Sequence, residues 1–184
     1  MTMELYDSAQ EIVGSDIEWP EFDPWQLSKG ASEEDMFWYR SAELKHGRIA
    51  MLASLGQITQ SYFQLGDPVF SQSEKPIKAI EQVANERPLA AFQILLAIFA
   101  VEAFGQFQQI QTGVPGDLNF DPLGLKPTDE ETWEKVQLRE LKNGRLAMLA
   151  ISSMLFNELL TGNGVIEAWR IGAVSPFGDG IGIF

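Results

Sequence analysis

The chain has 184 residues, a length suited to one domain, with no cysteine and a single histidine, His46. Disulfides and thiolate metal sites are therefore excluded. A formal charge of −13 argues against nucleic acid as a partner, because phosphate binding needs a basic face.

The opening "MTMELYDSAQEIVGSDIEWPEFDPW" is acidic. It has neither the basic-then-apolar order of a secretory signal nor the arginine-rich look of a transit peptide, so the residues leave open whether a leader has been removed. A first long helix is predicted over about 33–65, opening on charged, helix-forming turns. The connection "FQLGDPVFSQSEKPIKAIEQVANERP" places Ile77, Ile80 and Val83 at helical spacing, which predicts a short amphipathic segment on a surface. A second helix follows over 88–109, "PLAAFQILLAIFAVEAFGQFQQ", with Pro88 in its first turn. About 20 apolar residues at 1.5 Å each match a hydrocarbon slab of roughly 30 Å. The linker "TGVPGDLNFDPLGLKPTDEE" reads as irregular. A third long helix is predicted over about 129–160, and "TGNGVIEAWRIGAV" suggests another short surface helix. The tail "SPFGDGIGIF" has no usable pattern.

Two stretches nearly repeat: "AELKHGRIAMLASLGQ" and "RELKNGRLAMLAISSM". Glu43 aligns with Glu140, His46 with Asn143, Gly47 with Gly144 and Arg48 with Arg145. The match extends upstream, Phe22-Asp23-Pro24 with Phe120-Asp121-Pro122, and downstream, Gln60 with Asn157. This internal repeat, 20–66 and 118–163, implies two equivalent arms related by pseudo-symmetry, with the second helix unpaired. On a wheel of 100° per residue, Glu43, Gly47, Ala50, Ser54 and Gln57 form one stripe, as do Glu140, Gly144, Ala147 and Ala150. Small residues at that spacing let two helix backbones approach closely.

Arginine at the centre of a membrane span costs roughly 2.5 to 3.5 kcal/mol, so these charges need partners if the helices are embedded. Glu43 and Arg48 are five apart and poorly placed to pair with each other. If the first and third helices cross, each glutamate can meet the other helix's arginine, Glu43 with Arg145 and Glu140 with Arg48. Such pairs could do no more than staple the helices, but that leaves His46, Asn143, Gln60 and Asn157 unexplained. These are neutral lone-pair donors along apolar helices, as are needed for axial ligation of a flat metallocycle. A glutamate neutralised by arginine can serve too, and magnesium accepts both oxygen and imidazole nitrogen. The Glu43-x-x-His46 spacing also fits a di-iron bundle, but the second copy reads Glu140-x-x-Asn143 and no other histidine exists. His46 has no glycine-framed serine beside it, so a hydrolase triad is unsupported.

"ELKHGRIAMLA" and "ELKNGRLAMLA", each preceded by an "FDP" loop, resemble the light-harvesting chlorophyll-binding superfamily of plastids over roughly 22–162. The wording is closer to its chlorophyll a/c, red-lineage branch than to the green-plant a/b proteins. The resemblance implies an all-α membrane protein, one antenna domain over 1–184. It would have three transmembrane helices, the first and third crossing as a pseudo-two-fold pair, plus short amphipathic surface helices. It implies a non-enzymatic antenna, multi-pass in the plastid thylakoid membrane with a stromal N-terminus, passing excitation to a photosystem core or neighbouring antenna subunits. The pigments implied are chlorophyll a, chlorophyll c and xanthophylls of unresolved type. Glu43, His46, Glu140, Asn143 and Glu102 become axial ligands to chlorophyll magnesium, with Arg48 and Arg145 holding the glutamates. Asn157, Gln60 and Gln93 are weaker ligand candidates, and the Asp23 and Asp121 loops would hold xanthophyll end groups or simply form Asx-turns. Trp38, Trp133 and Trp169 would be interfacial anchors. The alternatives are a photoprotective, dissipating member of the same family and a pigment-free membrane scaffold.

Overall fold

Helix starts recur one repeat apart. Ser32 caps α1, Glu33–Tyr62: the Asp35 amide donates to the Ser32 hydroxyl at 3.2 Å, and the Ser32 amide donates to the Asp35 carboxylate at 3.2 Å. This is a capping box with aspartate as the returning acid. At the equivalent place Asp129 caps α4, Glu130–Thr161, accepting the Thr132 amide at 3.0 Å and the Thr132 hydroxyl at 2.7 Å. Between them lie α2, Pro76–Glu86, and α3, Pro88–Thr112, each with proline in its first turn; α5, Val165–Ile171, follows α4. Gly113 and Gly162, at φ 66° and 69°, end α3 and α4 in left-handed turns.

The computed structural model describes Gly14 and residues 22–63 and 75–172, and every regular helix or strand among them is a helix. The "EWPE" half of the first FDP loop, positions 64–66 of the first helix and repeat, the rest of the connection to residue 74, and the C-terminal tail lie outside the described residues. The chain divides into two units, Met1–Arg48 with Phe104–Arg145, and Ile49–Ala103 with Leu146–Phe184.

In the first unit α1 and α4 meet at the predicted small residues. A Cβ on Gly47 or on Gly144 would lie 3.0 Å from the other's α-carbon. The end of α3 joins through buried Gln109, whose amide donates to Ser41 Oγ at 2.9 Å while its carbonyl oxygen accepts the Gly116 amide at 3.1 Å. Ser41 in turn donates to the Phe37 carbonyl at 2.7 Å. These bonds tie α1, α3 and the loop after α3 into one polar network.

In the second unit α2 has no cap of its own at Lys75. The buried Glu158 of α4 supplies one, accepting the Ile77 amide at 3.0 Å. Ala50, Gln57, Pro76, Val165 and Ala168 are buried in this unit. Of the amphipathic positions on α2, Ile77 and Val83 are half-buried, whereas Ile80 is 74% exposed.

Most buried positions are small or polar, Leu141 and Val165 being the larger apolar exceptions, and no large side chain is fully buried among the described residues. The apolar bulk points outward: Ile49, Leu52 and Leu55 on α1, Leu146, Leu149 and Leu159 on α4, and nearly all of α3. Helix α3 is the one helix among the described residues long and apolar enough to cross a membrane by length and composition.

Candidate functional site

The charges expected to exchange across the crossing do so. Arg48 Nε donates to Glu140 Oε1 at 2.6 Å, and Arg145 Nε donates to Glu43 Oε1 at 2.7 Å. Each arginine also reaches a glycine carbonyl, Arg48 Nη1 to Gly116 at 2.7 Å and Arg145 Nη1 to Gly14 at 2.8 Å. Both glycines have positive φ, 72° and 106°. A Cβ on Gly116 would strike Leu44, and one on Gly14 would strike Leu141, the repeat equivalent of Leu44. Two glycines from dissimilar stretches of sequence thus meet equivalent helix positions through the same contacts. A third guanidinium joins on one side only, where Arg40 Nη1 donates to Glu43 Oε2 at 2.7 Å.

His46 and Asn143 are exposed, and each is pinned to the carbonyl four residues back. His46 Nδ1–H donates to the Ala42 carbonyl at 2.7 Å, and the Asn143 amide NH2 donates to that of Arg139 at 2.8 Å. A carbonyl can only accept, so the imidazole proton is held on Nδ1 and the lone pair sits on Nε2. The same bond turns the Asn143 amide oxygen away from its own backbone. Two chemically different side chains therefore each turn one donor atom outward, with a second contact of the kind that orients metal ligands already made.

The FDP loops are equally matched. Asp23 accepts the amides of Leu27 and Ser28 at 2.9 and 2.8 Å, and Asp121 those of Leu125 and Lys126 at 2.9 Å each. The Ser28 hydroxyl and these amides hold the Asp23 carboxyl below its ordinary pKa, and the Lys126 and Leu125 amides do the same for Asp121. Both carboxylates are engaged in shaping their own turns. Beside the second loop lies a cavity of about 920 Å³, walled by Leu44, Arg48, Asp121, Trp133 and Glu140 among others. That volume suits a large, mostly apolar ligand. Trp133 forms part of this wall, with Lys126 Nζ 4.7 Å from its ring centre.

Gln60, Gln93, Glu102 and Asn157 all lie in the second unit. Gln60 and Gln93 are exposed, while Glu102 and Asn157 are half-buried. The Thr161 hydroxyl, 3.2 Å from Asn157 Oδ1, partly occupies that donor atom. Arg40, Gly14, Gln109 and Glu158 escaped sequence reasoning. Only Arg40 left a readable trace, a cation three residues before Glu43.

The model of the chlorophyll A-B binding protein family matches residues 4–159. The chain belongs to that family. It is 57% identical, over all of its own length and 85% of the relative's, to a chloroplastic fucoxanthin-chlorophyll a-c binding protein of Chattonella marina var. antiqua. A protein of the same description from Isochrysis galbana is 36% identical over 78% of this chain and 74% of its own. These two similarities set this member of the family on the red-lineage branch. The chloroplastic light-harvesting complex stress-related protein 1 of Chlamydomonas reinhardtii is also similar, 37% identical over 79% of this chain and 63% of its own.

Proposed function

We propose that this member of the family is a light-harvesting antenna: it binds chlorophyll a, chlorophyll c and a xanthophyll, and passes excitation to a photosystem. The observation that carries this reading is the orientation of His46 and Asn143, each turning one donor atom outward, which would hold the magnesium of a chlorophyll. Glu43 and Glu140, neutralised by arginine, serve as further ligands, and Glu102, Gln60, Gln93 and Asn157 as candidates in the second unit. Bound chlorophyll supplies the absorbing chromophore, and the protein supplies its position and surroundings. Similarity to the fucoxanthin-chlorophyll a-c binding protein supports fucoxanthin as the xanthophyll.

The outward apolar faces support a bilayer setting, with α1, α3 and α4 all spanning a thylakoid membrane; the family resemblance is what suggests a stromal N-terminus and one antenna domain. On α1 and α4 the large apolar side chains face outward and the charges at the crossing are paired, which supports both helices meeting lipid with apolar side chains despite their arginines. Pigment chromatography and an absorption spectrum of the protein purified in mild detergent test the reading. Bound chlorophyll a, chlorophyll c and fucoxanthin are expected, and a folded, pigment-free protein would favour a scaffold.

Similarity to the stress-related protein supports a second reading, an energy-dissipating member. A persistently short fluorescence lifetime in the isolated pigment-protein would select it.

A further inference from the structure

The two carboxylates at the helix crossing are not equivalent. Both oxygens of Glu43 accept from a guanidinium, Oε1 from Arg145 and Oε2 from Arg40, each at 2.7 Å. Among the described residues Glu140 accepts from Arg48 alone, through Oε1. The asymmetry is written in the repeat. Three residues before Glu43 stands Arg40, and three before Glu140 stands Gln137, which carries no charge. Arg40 is not needed to neutralise Glu43, which Arg145 already does, and the α4 copy forms its half of the crossing without a counterpart.

A carboxylate oxygen binds a hard cation with its lone pairs, and a guanidinium on that oxygen both occupies one and draws charge away. Glu140 keeps one oxygen clear of any guanidinium, and Glu43 keeps neither. We propose that Arg40 makes Glu43 the weaker and Glu140 the stronger magnesium ligand, so that the chlorophyll at Glu43 exchanges more readily than the one at Glu140. Arg40 acts through Glu43 and is a positioning residue. The inference rests on the reading of both glutamates as axial ligands.

The test uses the full chain reconstituted with purified chlorophyll a, chlorophyll c and fucoxanthin, with pigment release followed after dilution into excess detergent. The paired variants Glu43→Leu/Arg145→Leu and Glu140→Leu/Arg48→Leu, which remove each ligand with its counter-charge, assign the two release phases. Arg40→Gln, which installs the residue found in the other copy, is expected to slow the Glu43 phase by about threefold to tenfold and leave the Glu140 phase alone. Gln137→Arg is expected to speed the Glu140 phase, and it keeps the inference testable if Arg40→Gln does not assemble. Wild-type rates at the targeted site in either variant overturn the inference while the ligand reading stands. If neither paired variant loses a phase, the ligand reading itself fails and takes the inference with it.

Discussion

Gly47 and Gly144 meet so closely that a Cβ on either would stand 3.0 Å from the other's α-carbon. Neither backbone can give way without moving the ion pairs on both sides, since Arg48 and Arg145 directly follow the two glycines. Gly47→Ala or Gly144→Ala should therefore destabilise by about 1–3 kcal/mol through overpacking, and the double variant by more. Thermal unfolding of the pigment-loaded protein measures this, and an unchanged midpoint would mean that the helices do not touch there.

The two arginines should differ in their effect. Arg48→Leu strands Glu140 without a cation, and for this partly buried pair the loss is expected to be about 1–3 kcal/mol. Arg145→Leu leaves Glu43 still paired with Arg40, so that carboxylate is only partly stranded. Denaturation midpoints should fall further for Arg48→Leu, and the reverse order would contradict the geometry.

Glu158 stands in for the missing cap of α2. Glu158→Ala should cost about 1–2 kcal/mol, the range of a lost helix cap. Hydrogen exchange at the Ile77 amide should accelerate while the first-unit amides keep their protection. Unchanged exchange at Ile77 would remove Glu158 from this role.

The FDP loops should loosen in acid. Their aspartates are held below the ordinary carboxylate pKa, so the folded state binds protons less readily than the unfolded chain. The resulting stabilisation is complete above about pH 4 and disappears as pH falls through the depressed folded-state values. Amide exchange at Leu125 and Lys126 should rise over that window, and Asp121→Asn should flatten the dependence. A steeper rise between pH 5 and 7 would point to some other group.

The repeat made the crossing legible. Glutamate and arginine five apart are poorly placed to pair within a helix, and each copy offered the charge that the other's motif needed, so the exchange followed from spacing. The repeated FDP marked both loops, but their aspartates bond amides four and five residues on rather than the two of an Asx-turn. What could not be read was non-local. Gly14 copies the role of Gly116 with no matching sequence around it, because a docking carbonyl needs only a permissive backbone. Glu158 capping Ile77 joins residues 81 apart, with no periodicity to announce it. Gln109, at the end of an apolar helix, carries no sequence sign of its bonds to Ser41 and Gly116.

The chlorophyll content of His46→Leu, Asn143→Leu and the double variant, set against the wild type, bears most directly on the central claim. The predicted result is one chlorophyll fewer per protein in each single variant and two fewer in the double, with helical circular dichroism preserved. A full pigment complement in the double variant would contradict the assignment of those two lone pairs.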